Sequence, residues 1–454
     1  MAVGTEALAG EISYADIDRD VLKTLETPGR VYWAGVAFLF ALIALAAAAW
    51  TRQIYVGLGV TGLRQPAMWA VYITNFVFWV GIAHSGTLIS AILFLFRVRW
   101  RTAVYRSAEA MTLFAVATAG LFPIIHLGRS WYFYWLLPYP NERWLQPNFR
   151  SPLVWDAFAV GTYATVSAIF LYFGMVPDVA AARDKTAAGI RRTLYSILGL
   201  GWRGTDEQWR HYSMAYLLLA GLATPLVISV HSVVSWDFAM AQLPGWHSTI
   251  FAPYFVAGAI FSGVAMVITI MIPMRRMLGL EKLVTLWHFD NLAKVVLFTS
   301  IIMSYSYATE SFTVWYAGDP YELVTFHQRY FGPMAPFFWM MIFCNCLVPL
   351  LLFSPRVRTN LKLLWVITIF VNIGMWLERF VIIAGSLATN FMPNTWAFFR
   401  ISLTEFLITI GSFAWFLFLF TLFCRVIPIV SMTELKEGAT WLRKALRAPY
   451  SKAA

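Results

Sequence analysis

Ten runs of about 20 mostly apolar residues, the length that a bilayer's hydrocarbon core requires of a helix, dominate this chain of 454 residues. They fall at 31–50, 67–95, 108–127, 153–176, 214–233, 250–273, 293–314, 334–353, 361–385 and 402–427. Backbone in lipid must satisfy its own hydrogen bonds, so runs of this length can only be helices. Composition agrees. The chain is 60% hydrophobic and 13% charged, against about 25% charged in an ordinary soluble domain. A soluble chain could not keep 21 Trp and 37 Phe out of water without a far larger polar shell. The expected fold is an all-α polytopic membrane protein with ten transmembrane helices.

Lys and Arg set the orientation, because cytoplasmic loops carry the excess. Alternating from a cytoplasmic N-terminus puts 25 of the 34 Lys and Arg residues on the side of the termini and 7 on the other. Lys294 and Arg379 remain inside spans. Both termini are therefore expected in the cytoplasm, with the chain in a bacterial inner membrane. Residues 1–30 are polar and acidic and lack the apolar core of a cleavable signal peptide. The outer connections carry aromatic interface material instead, as in Trp131-Tyr132-Phe133-Tyr134-Trp135.

Several function classes drop out. Cys344, Cys346 and Cys424 lie in apolar runs, and no CxxC, HExxH or Cys/His cluster occurs. The expectation is no iron–sulfur cluster and no metal held by this chain. No phosphate loop is present, and the net charge of +11 comes from loop arginines rather than a nucleic-acid face.

Adding 184 to five positions reveals an internal repeat. His126, Trp131, Tyr132, Pro152 and Trp155 become Glu310, Trp315, Tyr316, Pro336 and Trp339. Ser85-Gly86 in the second span has a counterpart in Ser262-Gly263 of the sixth. Spans two to five and six to nine are thus expected to be two related four-helix bundles in the same orientation. The implied divisions are a tail at 1–30, the first helix and a loop at 31–66, the first bundle at 67–233, a loop and the second bundle at 234–385, the last helix at 386–427, and a tail at 428–454. At the position of Asp156 the second copy has Met340, so only one copy keeps a carboxylate there.

Ionisable groups inside a membrane are costly, which makes them functional candidates. His126 stands at the outer end of span three. Asp156 stands about one turn into span four, behind Ser151 and Pro152. An imidazole and a carboxylate among aromatics suit an organic carrier with two hydroxyls, whose oxidation releases two protons. As ordinary structure, Asp156 would be a first-turn carboxylate matched to the helix dipole, and His126 an interfacial histidine. His84, His231, Glu310, Glu378 and Glu405 could form proton half-channels, or be paired structural groups. Glu109 and Lys294 lie near inner ends; Asp237 and His247 are expected in the outer loop after span five. Glu378 and Arg379 point about 100° apart on a helix and need not pair. A haem between His126 and His231 is not excluded by spacing, but the carboxylate beside one of them and the lack of a second matched pair argue against it.

The stretches Leu121-Phe-Pro-Ile-Ile-His126-Leu-Gly-Arg129, Tyr139-Pro-Asn141, Phe149-Arg-Ser-Pro-Leu-Val-Trp-Asp156 and His231-Ser-Val-Val-Ser-Trp-Asp237-Phe carry a resemblance. So do Pro244-Gly-Trp-His247 and Tyr254-Phe-Val-Ala-Gly-Ala-Ile-Phe-Ser-Gly263. From about residue 30 to 430 the chain resembles the polysulfide-reductase/NrfD-type quinone-binding membrane subunits, and among them the quinol-oxidising ActC-type subunit of bacterial alternative complex III. The resemblance implies two four-helix bundles and a quinol site near the periplasmic face. It implies that His126 and Asp156 contact the quinol, often menaquinol in this family, with Arg129 and Asp237 as further contacts. It also implies partners: a periplasmic iron–sulfur subunit, multihaem c-type cytochromes, and a paralogous ten-helix membrane subunit that binds no quinol. Nucleic acid is not an expected partner; lipid is. Three alternatives stay open: a quinone-reducing anchor for a molybdenum enzyme, a secondary transporter, and a scaffold. Against the transporter, no span of the repeat carries an obvious break at mid-depth.

Overall fold

A computed structural model describes residues 13–137 and 149–438. Ten helices are long and apolar enough to cross a membrane: Arg30–Val56, Val71–Leu95, Tyr105–His126, Pro152–Lys185, Asp206–Ala239, Phe251–Met277, Leu286–Ala317, Ala335–Phe353, Leu361–Ala388 and Leu403–Val426. They are called spans one to ten below. No strand occurs among the described residues. The all-α polytopic fold read from the apolar runs is the fold observed. Several helices outrun their apolar stretches. Spans four and five each have 34 residues, about 50 Å at a rise of 1.5 Å per residue, so their polar ends stand clear of the hydrocarbon.

Small residues decide which helices approach most closely, as membrane interfaces require. Spans two and six are the most buried and lie at the centre. A Cβ placed on Gly263 would lie 2.4 Å from the Ser85 Cβ, so only glycine fits that crossing. Gly86 faces span three, where a Cβ would fall 1.9 Å from the Thr112 hydroxyl. Gly411 of span ten takes Ala46 of span one in the same way, at 2.1 Å. Span one is the least buried.

One expectation is corrected, and one local irregularity is added. Asp237 is helical rather than in a loop, because span five runs to Ala239; nothing breaks the chain before Pro244-Gly245. Spans two, eight and nine are irregular within the membrane. Each contains one π-helical turn, at Leu88–Ile92, Phe343–Leu347 and Val381–Gly385. A π turn inserts a residue and needs neither Pro nor Gly; Leu88–Ile92 and Phe343–Leu347 contain neither. Each turn includes or adjoins a buried polar side chain: Ser90, Asn345 and Ser386. Span three also shifts at Gly120, where the helix Tyr105–Ala119 gives way to Leu121–His126.

The terminal segments are structured around the same face. Ser13 and Asp16 form a capping box on the helix Tyr14–Lys23, which buries Ile17 and Val21. Beyond span ten the chain turns back against the bundle. Ile429, Val430, Ser431 and Met432 are buried, and the Thr433 N–H and hydroxyl donate to Asp178 Oδ1.

Candidate functional site

Pro152 occupies the first turn of span four, where its missing N–H costs nothing. Ser151 stands at the cap position with extended backbone but makes no side-chain cap bond. Trp155 Nε1 donates to the Phe149 carbonyl at 2.6 Å and its ring meets Trp236 of span five edge-on at 6.0 Å. Trp339 Nε1 at the start of span eight likewise donates to a carbonyl of the preceding connection, that of Tyr330, at 3.0 Å. The Trp155–Trp236 contact brings the following residues together. The carboxyls of Asp156 and Asp237 lie within hydrogen-bonding range of each other. Asp156 is 7% exposed. One oxygen of each, Oδ1, is buried without a partner.

His126 ends span three at the same face, and its Nδ1 is also buried without a partner. No hydrogen bond or ion pair joins it to Asp156 or Asp237 among the described residues. Its position is fixed from behind. Gln53 Nε2 donates to the Ile125 carbonyl at 2.9 Å, and Tyr72 donates to Gln53 Oε1 at 2.5 Å. Tyr72 and Phe122 pack with ring centroids 6.5 Å apart. Arg129 is exposed, and its side chain pairs with no described residue. Tyr139-Pro-Asn141 and part of the aromatic loop lie outside the described residues.

Three buried, unsatisfied acceptor positions at one membrane face want donors, since an unpaired polar atom in a dry setting is costly. A hydroquinone brings two hydroxyl donors on a flat apolar ring. The Trp69, Phe238 and Trp246 cluster, with centroids 5.0 to 6.3 Å apart, gives this face further aromatic surface.

The other candidates form separate groups. His84 and His231 meet near the centre with ring centroids 4.5 Å apart, and Tyr163 stacks on His84 at 4.9 Å. Both His231 nitrogens and His84 Nε2 lack partners. Sequence reasoning missed Tyr163, which nothing in its apolar context singles out. Glu310 pairs with Arg329 at 3.1 Å, and Arg329 also donates to the Gly245 carbonyl and the Ser386 hydroxyl. Glu378 accepts from Tyr307 and from Arg379, so these sequence neighbours do pair, although the helical wheel did not require it. Flexible arginine reaches back where the wheel alone would separate them. Glu405 caps span ten, accepting from the Ser402 N–H and hydroxyl, and also from the Gly62 N–H at 2.9 Å. Lys294 pairs with Asp290 one turn earlier.

The ten-helix fold defines a multi-pass membrane protein. Residues 59–391 match the model of the family described as polysulphide reductase, NrfD, and the chain belongs to that family. It is 30% identical over 255 residues to a protein of Halobacterium salinarum named as a putative membrane subunit of dimethyl sulfoxide reductase. That alignment covers 56% of this chain and 54% of the relative, so the chain spans about half of that relative's length. It is also 21% identical over 369 residues, 80% of this chain and 81% of the other, to the Hdr-like menaquinol oxidoreductase integral membrane subunit of Archaeoglobus fulgidus. Both relatives are named as membrane subunits.

Proposed function

We propose that this chain is the quinol-binding membrane subunit of a respiratory quinol oxidoreductase of the alternative complex III type. The single observation that carries this is the buried pair Asp156 and Asp237, with unpaired oxygens, at the membrane face where His126 presents an unpaired nitrogen. In this reading His126 accepts one quinol hydroxyl and the carboxyl pair accepts the other. Two carboxyls in contact can hold one proton between them, so the pair takes one of the two protons released as two electrons leave, and His126 takes the other. In this reading Arg129, three residues beyond His126, is a further contact. The electrons pass to a partner iron–sulfur subunit and on to multihaem c-type cytochromes; a paralogous membrane protein completes the complex. The name of the Archaeoglobus relative supports menaquinol as the substrate. The Lys and Arg bias supports cytoplasmic termini in a bacterial inner membrane, which places the site on the periplasmic side.

His84, His231, Glu310 and Glu378 offer a route for proton translocation beyond the chemistry of quinol. Buried, partly unsatisfied imidazoles at mid-depth fit such a relay. The capping bonds of Glu405 instead favour a structural part for it. A second reading, a quinone-reducing anchor of a molybdenum oxidoreductase, draws support from the name of the Halobacterium relative. The test is quinol oxidation by the intact complex. Asp156→Asn should lower turnover by orders of magnitude while assembly persists; near-normal turnover would remove Asp156 from the chemistry. The proteins that co-purify separate the two readings: multihaem cytochromes for quinol oxidation, a molybdenum enzyme for quinone reduction.

A further inference from the structure

A groove of about 810 Å³ runs between spans one, two, six, nine and ten, near the upper end of the roughly 300–1,000 Å³ typical of ligand sites. Its walls are apolar, with Met274, Ile373, Phe413 and Phe420 among them. One end is different. Arg425 and Tyr32 line it at the face that carries the termini, with the guanidinium 5.0 Å from the Tyr32 ring centroid. Arg425 Nη1 donates to the Thr24 carbonyl, and its Nε has no partner.

The neighbouring helices repeat the pattern. Four helices around the groove carry a basic residue near this face, of which Arg425 alone lines the groove itself: Arg30 starts span one, Arg276 lies one residue before the end of span six, Lys362 is the second residue of span nine, and Arg425 lies one before the end of span ten. Arg30, Arg276 and Lys362 are exposed. None of the four pairs with a carboxylate among the described residues. A long apolar trough with Arg425 at one end, on the face where Arg30, Arg276 and Lys362 also lie without carboxylate partners, matches a molecule with hydrocarbon tails and an anionic head.

We infer that this groove is a binding site for an anionic phospholipid, with its acyl chains along spans six, nine and ten and its phosphate at Arg425. Juxtamembrane cations attract anionic lipids, and apolar walls favour tails over a free phosphate. The site lies apart from Asp156 and Asp237 and does not depend on the quinol reading.

The test is native mass spectrometry of the full-length chain with phosphatidylglycerol or phosphatidylcholine added. Phosphatidylglycerol should be retained preferentially. Arg425→Gln should lower that preference about fivefold, as expected for one juxtamembrane cation, and Arg425→Lys should keep it. Arg276→Gln and Lys362→Gln, which remove exposed charges without structural bonds, should each lower it too. Ile373→Trp, which fills the wall, should reduce retention of both lipids. Equal retention of the two lipids by the unaltered chain would overturn the inference, as would an unchanged preference in the three glutamine variants. So would an Ile373→Trp variant that keeps its lipid but loses a co-purifying membrane protein, since the groove would then be a protein interface.

Discussion

Asp156 of span four and Asp237 of span five meet near the ends of their helices at one membrane face, each with an oxygen left unpaired. If the pair acts as one proton acceptor, neither carboxyl works fully alone. Asp156→Asn and Asp237→Asn should each lower quinol oxidation by about 10²–10⁴-fold, the scale of general base catalysis. The double variant should be little worse than the weaker single, because groups that act as a unit are not additive. Steady-state turnover of the intact complex checks this. Normal turnover in Asp237→Asn would reduce the acceptor to Asp156 alone.

The crossing of spans two and six depends on Gly263. A methyl there would sit 2.4 Å from the Ser85 Cβ and 3.0 Å from the Ile82 carbonyl. Gly263→Ala should therefore destabilise the bundle by about 1–3 kcal/mol, as overpacking does. Ser85→Gly removes the opposing Cβ, so the double variant should recover much of the loss. Thermal unfolding in detergent measures both. Equal midpoints for Gly263→Ala and the unaltered chain would show that the two helices can separate freely.

Much of this architecture is legible in the residues. Apolar length alone places all ten spans, because lipid leaves the backbone no other choice. Pro152 at the start of span four and Asp156 just inside it follow from the residues as well. The partner of Asp156 does not. Asp237 is found only when spans four and five are packed and Trp155 lies against Trp236; a single helix pattern cannot report a contact between two helices. The π turns are hidden for a different reason, since Leu88–Ile92 contains neither Pro nor Gly. Arg329 reads as an ordinary loop cation, yet it reaches Glu310, Gly245 and Ser386, a convergence set only by the tertiary fold.

Arg379 lies over the Phe255 ring at 4.4 Å and donates to Glu378, which is fully buried. Removing one partner leaves the other charge stranded, at a cost of about 3–5 kcal/mol. Arg379→Met should thus be severely destabilising. Adding Glu378→Gln to it should restore a large part of the loss, because the stranded charge is gone. Unfolding midpoints of the two variants decide the matter; if the double variant is the less stable, the pair is not the source of the cost.

Asp18 ties both terminal segments to the bundle, with Lys185 Nζ at 2.8 Å and Lys436 Nζ at 2.6 Å. Burial alone would raise its carboxyl, but the two ammonium groups outweigh that and hold it below the ordinary aspartate value. A carboxyl with a lowered folded value contributes stability that is complete above its unfolded value, about 3.9, and is lost as pH falls through the folded one. Docking of the helix Tyr14–Lys23 and of residues 431–438 should therefore be insensitive to pH between about 5 and 8 and weaken only in stronger acid. Asp18→Asn should loosen it at neutral pH. The effect is modest, up to about 1 kcal/mol, because Lys185 is half exposed and screened by water. Hydrogen exchange over the two segments reads this directly: faster exchange in the variant at pH 7, and smaller differences in high salt. Identical exchange in variant and unaltered chain would mean that the apolar contacts of Ile17, Val21 and Ile429 hold the termini without help from the ion pairs.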